Sequence, residues 1–349
     1  MVQGPPQATS VMIIIATVVT AMAGAVARAQ QVPCYFSFGD TFFENGNNND
    51  LVTGAKSNYP PYGIDFPNGP TGRFTNGRTI PDFLAGFLGF KDYIPPFAGS
   101  SPTQVFTGLN YASGASGILD DSGRNLGDNL SMNRQIGNHL EATTRAGVPE
   151  DRLKQCLYTI STGSSDYVNN YLMSPSLNSQ LFTPDQFAEF LIQIYASQLK
   201  ILYILGARKV ALFGLPKLGC APGLVAQQSG GGCNEDANSA VNLFNNKLIA
   251  YVNDVNKTLT DAKFTYVDVF NTGPSGLRND SCCTVEPGQI LCAANQPVCE
   301  NRKEYAYFDA FHFTEVVYSA VAESAFTGQI ASPYSIAELV GVSKPSMYE

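Results

Sequence analysis

The sequence predicts an α/β fold in which a mainly parallel sheet is covered by helices on both faces. Three observations carry that expectation. Short runs with strand character at 34–38, 106–112, 156–161, 210–213 and 264–270 alternate with stretches of helical periodicity, the order that builds a parallel sheet. The first three runs each end in small polar residues, as strands do where they leave a sheet for a loop. Apolar residues make up 44% of the 349, ample for a sizeable core.

Residues 34–38 run into Gly39-Asp40-Thr41 and then into the turn-rich tract 45–50, rich in Asn and Gly. Ligands of open parallel sheets bind beyond the carboxyl ends of the strands, so the hydroxyl of Thr41 stands where a reacting group is expected. The tract 59–83 is full of Pro and Gly and should be an ordered loop draped over the sheet. A helix is expected from about Ile80 to Leu88. The strand 106–112 opens into Ser113-Gly114-Ala115-Ser116-Gly117, small residues whose backbone N–H groups can approach a ligand closely. The strand 156–161 ends at Thr162-Gly163-Ser164-Ser165-Asp166. A helix then has clear start signals: Thr183 as N-cap, Pro184 at the first helical position and Gln186 completing a capping box. Phe187, Phe190, Leu191, Ile194 and Leu202 mark its apolar face. Beyond the strand 210–213, Val241, Phe244, Leu248, Val252 and Val255 trace another amphipathic helix, which leads to the strand 264–270.

Near the C-terminus Asp309 and His312 stand three residues apart, and His312 is one of two histidines. An acid so placed can hold one ring nitrogen while the other faces a substrate, which completes the hydroxyl, base and orienting acid of nucleophilic catalysis. The other histidine, His139, lies in a polar stretch with no orienting partner nearby in sequence and reads as a surface or packing residue.

Six stretches in order carry a resemblance over nearly the whole chain: FGDTFFENGNNND at 38–50, YPPYGIDFPNGPTGRFTNGRTIPDF at 59–83, NYASGASGI at 110–118, STGSSDYVNNY at 161–171, KVALFGLPKLGCAPG at 209–223 and DAFH at 309–312. On these the chain resembles the plant GDSL esterase/lipases of the SGNH hydrolase superfamily. The resemblance implies a flavodoxin-like three-layer αβα sandwich with a five-stranded sheet, and a secreted carboxylic-ester hydrolase acting on lipid or cell-wall esters through an acyl-enzyme. Carried over by position, Thr41 is the nucleophile, His312 the base and Asp309 the orienter. The oxyanion hole is made by the N–H of Thr41, the N–H of Gly117 or nearby Gly114, and the side chain of Ser165.

Two positions depart from the family pattern. Thr41 replaces the serine of the first block, adding a methyl group that restricts χ1 and takes up space where the acyl carbon must approach. Ser165 replaces the asparagine of the third, and losing one oxyanion donor typically lowers turnover about a hundred- to a thousandfold. Two functions of different class are therefore compatible with the sequence: an ester hydrolase, or acyltransferase using the same acyl-enzyme, with threonine as nucleophile; and a secreted lipid- or ester-binding protein that keeps the fold with impaired chemistry.

Composition narrows the partners. Lys and Arg total 21 against 29 Asp and Glu, a formal charge of −8 without a basic cluster, so nucleic acid has no electrostatic footprint here. Residues 11–23 are apolar over the length of a signal-peptide core and Ala27-Arg28-Ala29 fits a cleavage site. Residues 1–29 are thus expected to be a leader, with 30–349 a single domain, extracellular in the apoplast or cell wall and without a stable membrane span. Eight cysteines in an exported chain read as disulfides: Cys220 with Cys233 across a Gly-rich excursion, Cys34 and Cys156 as a pair or as buried thiols, and Cys282, Cys283, Cys292 and Cys299 stapling one long loop in an undetermined pattern. Sequons at Asn129, Asn256 and Asn279 mark candidate glycosylation sites. No cofactor or metal is implied; the expected partner is a small-molecule or lipid ester, and the expected state is a monomer.

Overall fold

The computed structural model describes Met1 and residues 29–172, 176–272 and 276–342; the predicted leader, apart from Met1 and Ala29, lies outside the described residues. The strands are β1 (Tyr35–Gly39), β2 (Leu157–Ser161), β3 (Lys209–Phe213), β4 (Lys263–Val267), β5 (Arg278–Ser281), β6 (Tyr305–Tyr307) and β7 (Ala331–Ser332). The main sheet has the order β1-β2-β3-β4-β7, parallel except for the antiparallel edge β7. Every residue of β1 and β2 is buried, as expected where helices cover both faces of parallel strands. Gly39 is level with Ser161, and Ser161 with Phe213. The loops that leave β1 and β2 therefore emerge side by side.

The helices fall into two packed groups. Met132–Ala146, Pro184–Ile204 and Glu235–Thr258 pack in series, while Ile80–Phe87 and Ile336–Val340 pack on Glu315–Thr327. Their starts follow local sequence. Thr183 accepts from the N–H of Gln186, whose side chain returns to Thr183, with Pro184 in the first turn, and a box around Pro81 is made by Asp82, which accepts the N–H (2.8 Å) and the hydroxyl (2.9 Å) of Thr79. Each box satisfies N–H groups that a helix start leaves open.

Three elements differ from the sequence-based expectation. Residues 106–112 are not a regular strand. Phe106 closes a 3₁₀ turn, and Gly108 sits at φ +117° with its Cα so close to Tyr35 that a Cβ would lie 1.9 Å from that carbonyl oxygen. The segment still runs beside β1, through Tyr35 N–H to Thr107 O (3.0 Å), Ser37 N–H to Leu109 O (3.1 Å) and Tyr111 N–H to Ser37 O (2.7 Å). It is an irregular outer edge, and the sheet's fifth strand is instead β7. The helix Met132–Ala146 escaped the periodicity reading because its buried stripe includes Gln135, His139 and Thr143 among apolar residues. His139 itself is a core residue, packed on Phe36 and Phe38 and beside the Tyr111 hydroxyl (3.3 Å), and burial pushes its imidazole down to about 3.

All eight cysteines are paired, Cys34–Cys156, Cys220–Cys233, Cys282–Cys299 and Cys283–Cys292. The sequons divide. Asn129 is buried and its amide donates to the carbonyls of Ser122 (2.8 Å) and Ala115 (3.3 Å), which corrects the expectation of a glycan there: the folded chain has no room for one. Asn256 spends its amide on both backbone groups of Phe264, whereas Asn279 is exposed on β5.

Candidate active site

Three turns meet beyond the ends of β1 and β2. The first carries Thr41, the second spans 113–118, and the third leads from β2 through Gly163 into the short helix Ser164–Tyr167. They are bound to one another by buried carboxylates. Asp40 accepts from the Phe42 N–H (3.2 Å) and from both the N–H and hydroxyl of Ser164. Asp166 accepts from the N–H groups of Ile118 (2.8 Å) and Leu119 (2.9 Å) and from the Ser122 hydroxyl (2.7 Å). Glu44 accepts from the N–H groups of Gly46, Asn48 and Gly114. The first turn thus holds the second and the third, and the third holds the second. Gln135 adds a two-way bond to Gly39, accepting its N–H and donating to its carbonyl, each at 2.8 Å. Burial pushes Asp40 and Asp166 each up to about 6 and Glu44 up to about 7, with the accepted hydrogen bonds acting in the opposite direction.

The other wall comes from the loop after β6. Asp309 Oδ1 accepts from the N–H groups of Phe311 (2.8 Å) and His312 (2.7 Å), which closes a tight turn. Its Oδ2 faces Nδ1 of His312 at 2.7 Å and also accepts from the Tyr62 hydroxyl at 2.6 Å. A carboxylate can only accept, so Nδ1 carries the proton of the neutral ring and Nε2 presents the lone pair. Nε2 is buried and makes no hydrogen bond among the described residues. Phe74 lies over the ring at 4.8 Å, with Phe311 and Phe42 edge-on at 5.2 and 6.0 Å, so the imidazole sits in an aromatic frame.

Thr41, Ser165 and His312 line one cavity of about 440 Å³. Ala55, Phe74, Leu126 and Leu291 make much of its wall apolar, and Glu286 to Ala293, the loop tied by Cys283–Cys292, closes one side. The residue of the second turn that lines the cavity is Ala115, which corrects the oxyanion expectation for Gly114. Gly114 donates its N–H to Glu44 and Asn48, both at 3.1 Å, so it has none to offer. Gly117 backs onto Asp166, where a Cβ would lie 2.3 Å from Oδ2, and serves close packing. Ala115 has φ +61°, a left-handed conformation uncommon for a residue with a side chain. Among the described residues no acceptor is bonded to the N–H of Thr41 or of Ala115, and the hydroxyls of Thr41 and Ser165 are likewise without protein partners. The sequence reading missed Ala115 because left-handed backbone is signalled by glycine, and missed Tyr62 because nothing ties a loop tyrosine to an acid some 250 positions away.

The comparisons with known proteins give consistent matches over most of the chain. A model of the GDSL-like lipase/acylhydrolase family matches residues 35–325. Among curated proteins, one GDSL esterase/lipase of Arabidopsis thaliana is 51% identical over 349 residues, covering 97% of this chain and 100% of its own. A second from the same plant is 51% identical over 327 residues, covering 91% and 95%, and a third 52% identical over 331 residues, covering 91% and 95%.

Proposed function

Since this chain belongs to the GDSL-like lipase/acylhydrolase family of ester-hydrolysing enzymes, we propose that it cleaves carboxylic esters through a Thr41, His312 and Asp309 triad. The observation that carries this reading is the state of His312. Its Nδ1 is fixed by Asp309, its buried Nε2 has no partner among the described residues, and His312 lines the same cavity as Thr41. Nε2 takes the proton as Thr41 Oγ attacks the ester carbonyl, the carbonyl oxygen becomes an oxyanion, and the same proton goes to the departing alcohol. Water then attacks the acyl-threonine with His312 again as base. The open N–H groups of Thr41 and Ala115 and the hydroxyl of Ser165 are the donors for the oxyanion, the type of preorganised contact worth about 3 kcal/mol each in a dry site.

An ester with an aliphatic arm is the substrate class that the lining supports. A second cavity of about 580 Å³ adjoins the first and shares Val168, Glu286, Gly288, Gln289, Ile290 and Phe311 with it, extending along Leu172 and Leu224. Pockets of this size and lining bury most of a ligand of some tens of atoms. Four disulfides and the exposed sequon at Asn279 support passage through an oxidising secretory route, and no helix among the described residues is long and apolar enough to cross a membrane.

The test is hydrolysis of p-nitrophenyl butyrate by the glycosylated mature chain beside Thr41→Ala. Turnover at least about a thousandfold above the mutant is expected. Equal rates in the two would exclude the threonine nucleophile and favour a binding protein on the same fold.

A further inference from the structure

Asp309 has all four of its acceptor positions filled. Two are taken by N–H groups of its own turn and one by His312 Nδ1; the fourth partner, the Tyr62 hydroxyl at 2.6 Å, comes from a distant loop. Tyr62 is fully buried between Phe74 and Phe308. Its oxygen also accepts the N–H of Cys292 at 3.1 Å, while the neighbouring Tyr59 hydroxyl donates to the carbonyl of Cys292 at 2.9 Å. Cys292 is bridged to Cys283 and lines the cavity. One phenol therefore connects the substrate-facing loop to the oxygen that holds His312. Burial first, and then the charge of Asp309, raise Tyr62 well above its ordinary range, so it keeps its proton and acts as a donor.

We infer that Tyr62 is a positioning residue of the reaction, one that aims Asp309 and moderates its hold on His312 while tying that pair to the loop 283–292. The inference rests on the reading of His312 as the base. A hydrogen bond to Oδ2 withdraws electron density from the oxygen that Nδ1–H meets. Without it the carboxylate is a stronger acceptor and freer to rotate. Tyr59 and Tyr318 are the other titratable side chains whose charge couples to Asp309, and Tyr59 shares the contact to Cys292 without touching the acid.

Tyr62→Phe and Tyr59→Phe are compared in the full chain, with p-nitrophenyl butyrate turnover and the low-field proton resonance of His312 Nδ1–H as readouts. In Tyr62→Phe, kcat is expected to fall about tenfold with KM within about twofold, the acid limb of the kcat/KM profile to move to higher pH, and the resonance to move downfield. In Tyr59→Phe the resonance and the acid limb stay in place. Equal effects in both variants, or an unmoved resonance in Tyr62→Phe, would reduce Tyr62 to a brace for the loop and overturn the inference. Should Tyr62→Phe fail to fold, 3-fluorotyrosine at position 62 keeps the ring and strengthens the donor, and the resonance is then expected upfield; no movement has the same adverse meaning. The resonance needs no turnover, so a wild-type chain as inactive as Thr41→Ala would defeat the hydrolase reading while leaving the hydrogen-bond inference testable.

Discussion

The wall of the cavity that carries Thr41, Ala115 and Ser165 and the wall that carries Asp309 and His312 are held in place by different physics. The first stands on β1, β2 and the irregular edge beside β1, and its turns are joined by hydrogen bonds to Asp40, Glu44 and Asp166. No covalent cross-link lies within these turns. The second has one short pair of strands, β5 with β6, and relies on Cys282–Cys299, Cys283–Cys292 and Tyr62. A sheet sets the position of its exit loops through strand register, so polar contacts between those loops are enough to finish the site. The segment 282–299 has no such frame, and its two disulfides, which close loops of 17 and 9 residues, supply locally the constraint that strand register supplies in the sheet. Cys34–Cys156, which spans 122 residues, joins the entries of β1 and β2, away from the turns.

The most severe way to separate the two walls is to cut the staple nearest the cavity. Replacing Cys283 and Cys292 together by serine is expected to lower kcat/KM about a hundredfold, because a displacement of about 1 Å at the reacting groups suffices for that loss. The sheet and its buried carboxylates stay intact, so the thermal transition is expected to move far less than activity. Parallel loss of both, followed by calorimetry and ester turnover on one preparation, would mean that the loop stabilises the whole domain and that the walls are not separable.

The same division decides what the sequence could tell. The sheet wall was largely legible: strand character in 34–38 and 156–161, within a residue of the observed strands, the small residues after each, and the capping box at Thr183 are local signals, and the structure places Thr41 and Ser165 on one cavity. Asp309 and His312 were legible because their bond spans three residues. What stayed hidden depends on contacts distant in sequence. Glu44 reaches Gly114, Asp166 reaches Ile118, and Tyr62 reaches Asp309 across 247 positions, none of which leaves a periodic or spacing signal. The edge strand failed for a local reason as well, since a glycine at φ +117° looks in sequence like any glycine near a strand.

Restoring the longer donor on the sheet wall should give a smaller effect of opposite sign. Ser165 is the second residue of the helix Ser164–Tyr167, lines the cavity, and its hydroxyl has no partner among the described residues. Ser165→Asn extends a donor toward the oxyanion position, and kcat is expected to rise about tenfold with little change in KM, since the contact strengthens only in the transition state. A rise in KM with unchanged kcat in steady-state assays would instead show that asparagine occupies space the substrate needs.

The smallest expected effect concerns pH and belongs to the sheet wall alone. Asp40 and Asp166, pushed up to about 6, and Glu44, pushed up to about 7, hold their protons in the folded chain at pH values where the unfolded chain has released them. A raised carboxyl contributes stability that is complete below its unfolded value near 4 and is lost as pH rises through its folded value. His139 acts in the other direction: pushed down to about 3 by burial, it makes the unfolded chain the better proton acceptor below about 6.5. Three groups favour the folded chain on acidification and one opposes, so the thermal midpoint is expected to rise by a few degrees between pH 7 and pH 5. Each group contributes at most about 1.4 kcal/mol per pH unit. Glu44→Gln lowers stability at every pH, because its amide meets an N–H that the carboxylate accepted, but it removes one titrating proton and so flattens the rise. A midpoint that falls steadily from pH 7 to pH 5 in both proteins would show that these carboxylates are ionised within the fold, stabilised by the N–H groups they bind, and that the sheet wall is an ionic clamp at neutral pH.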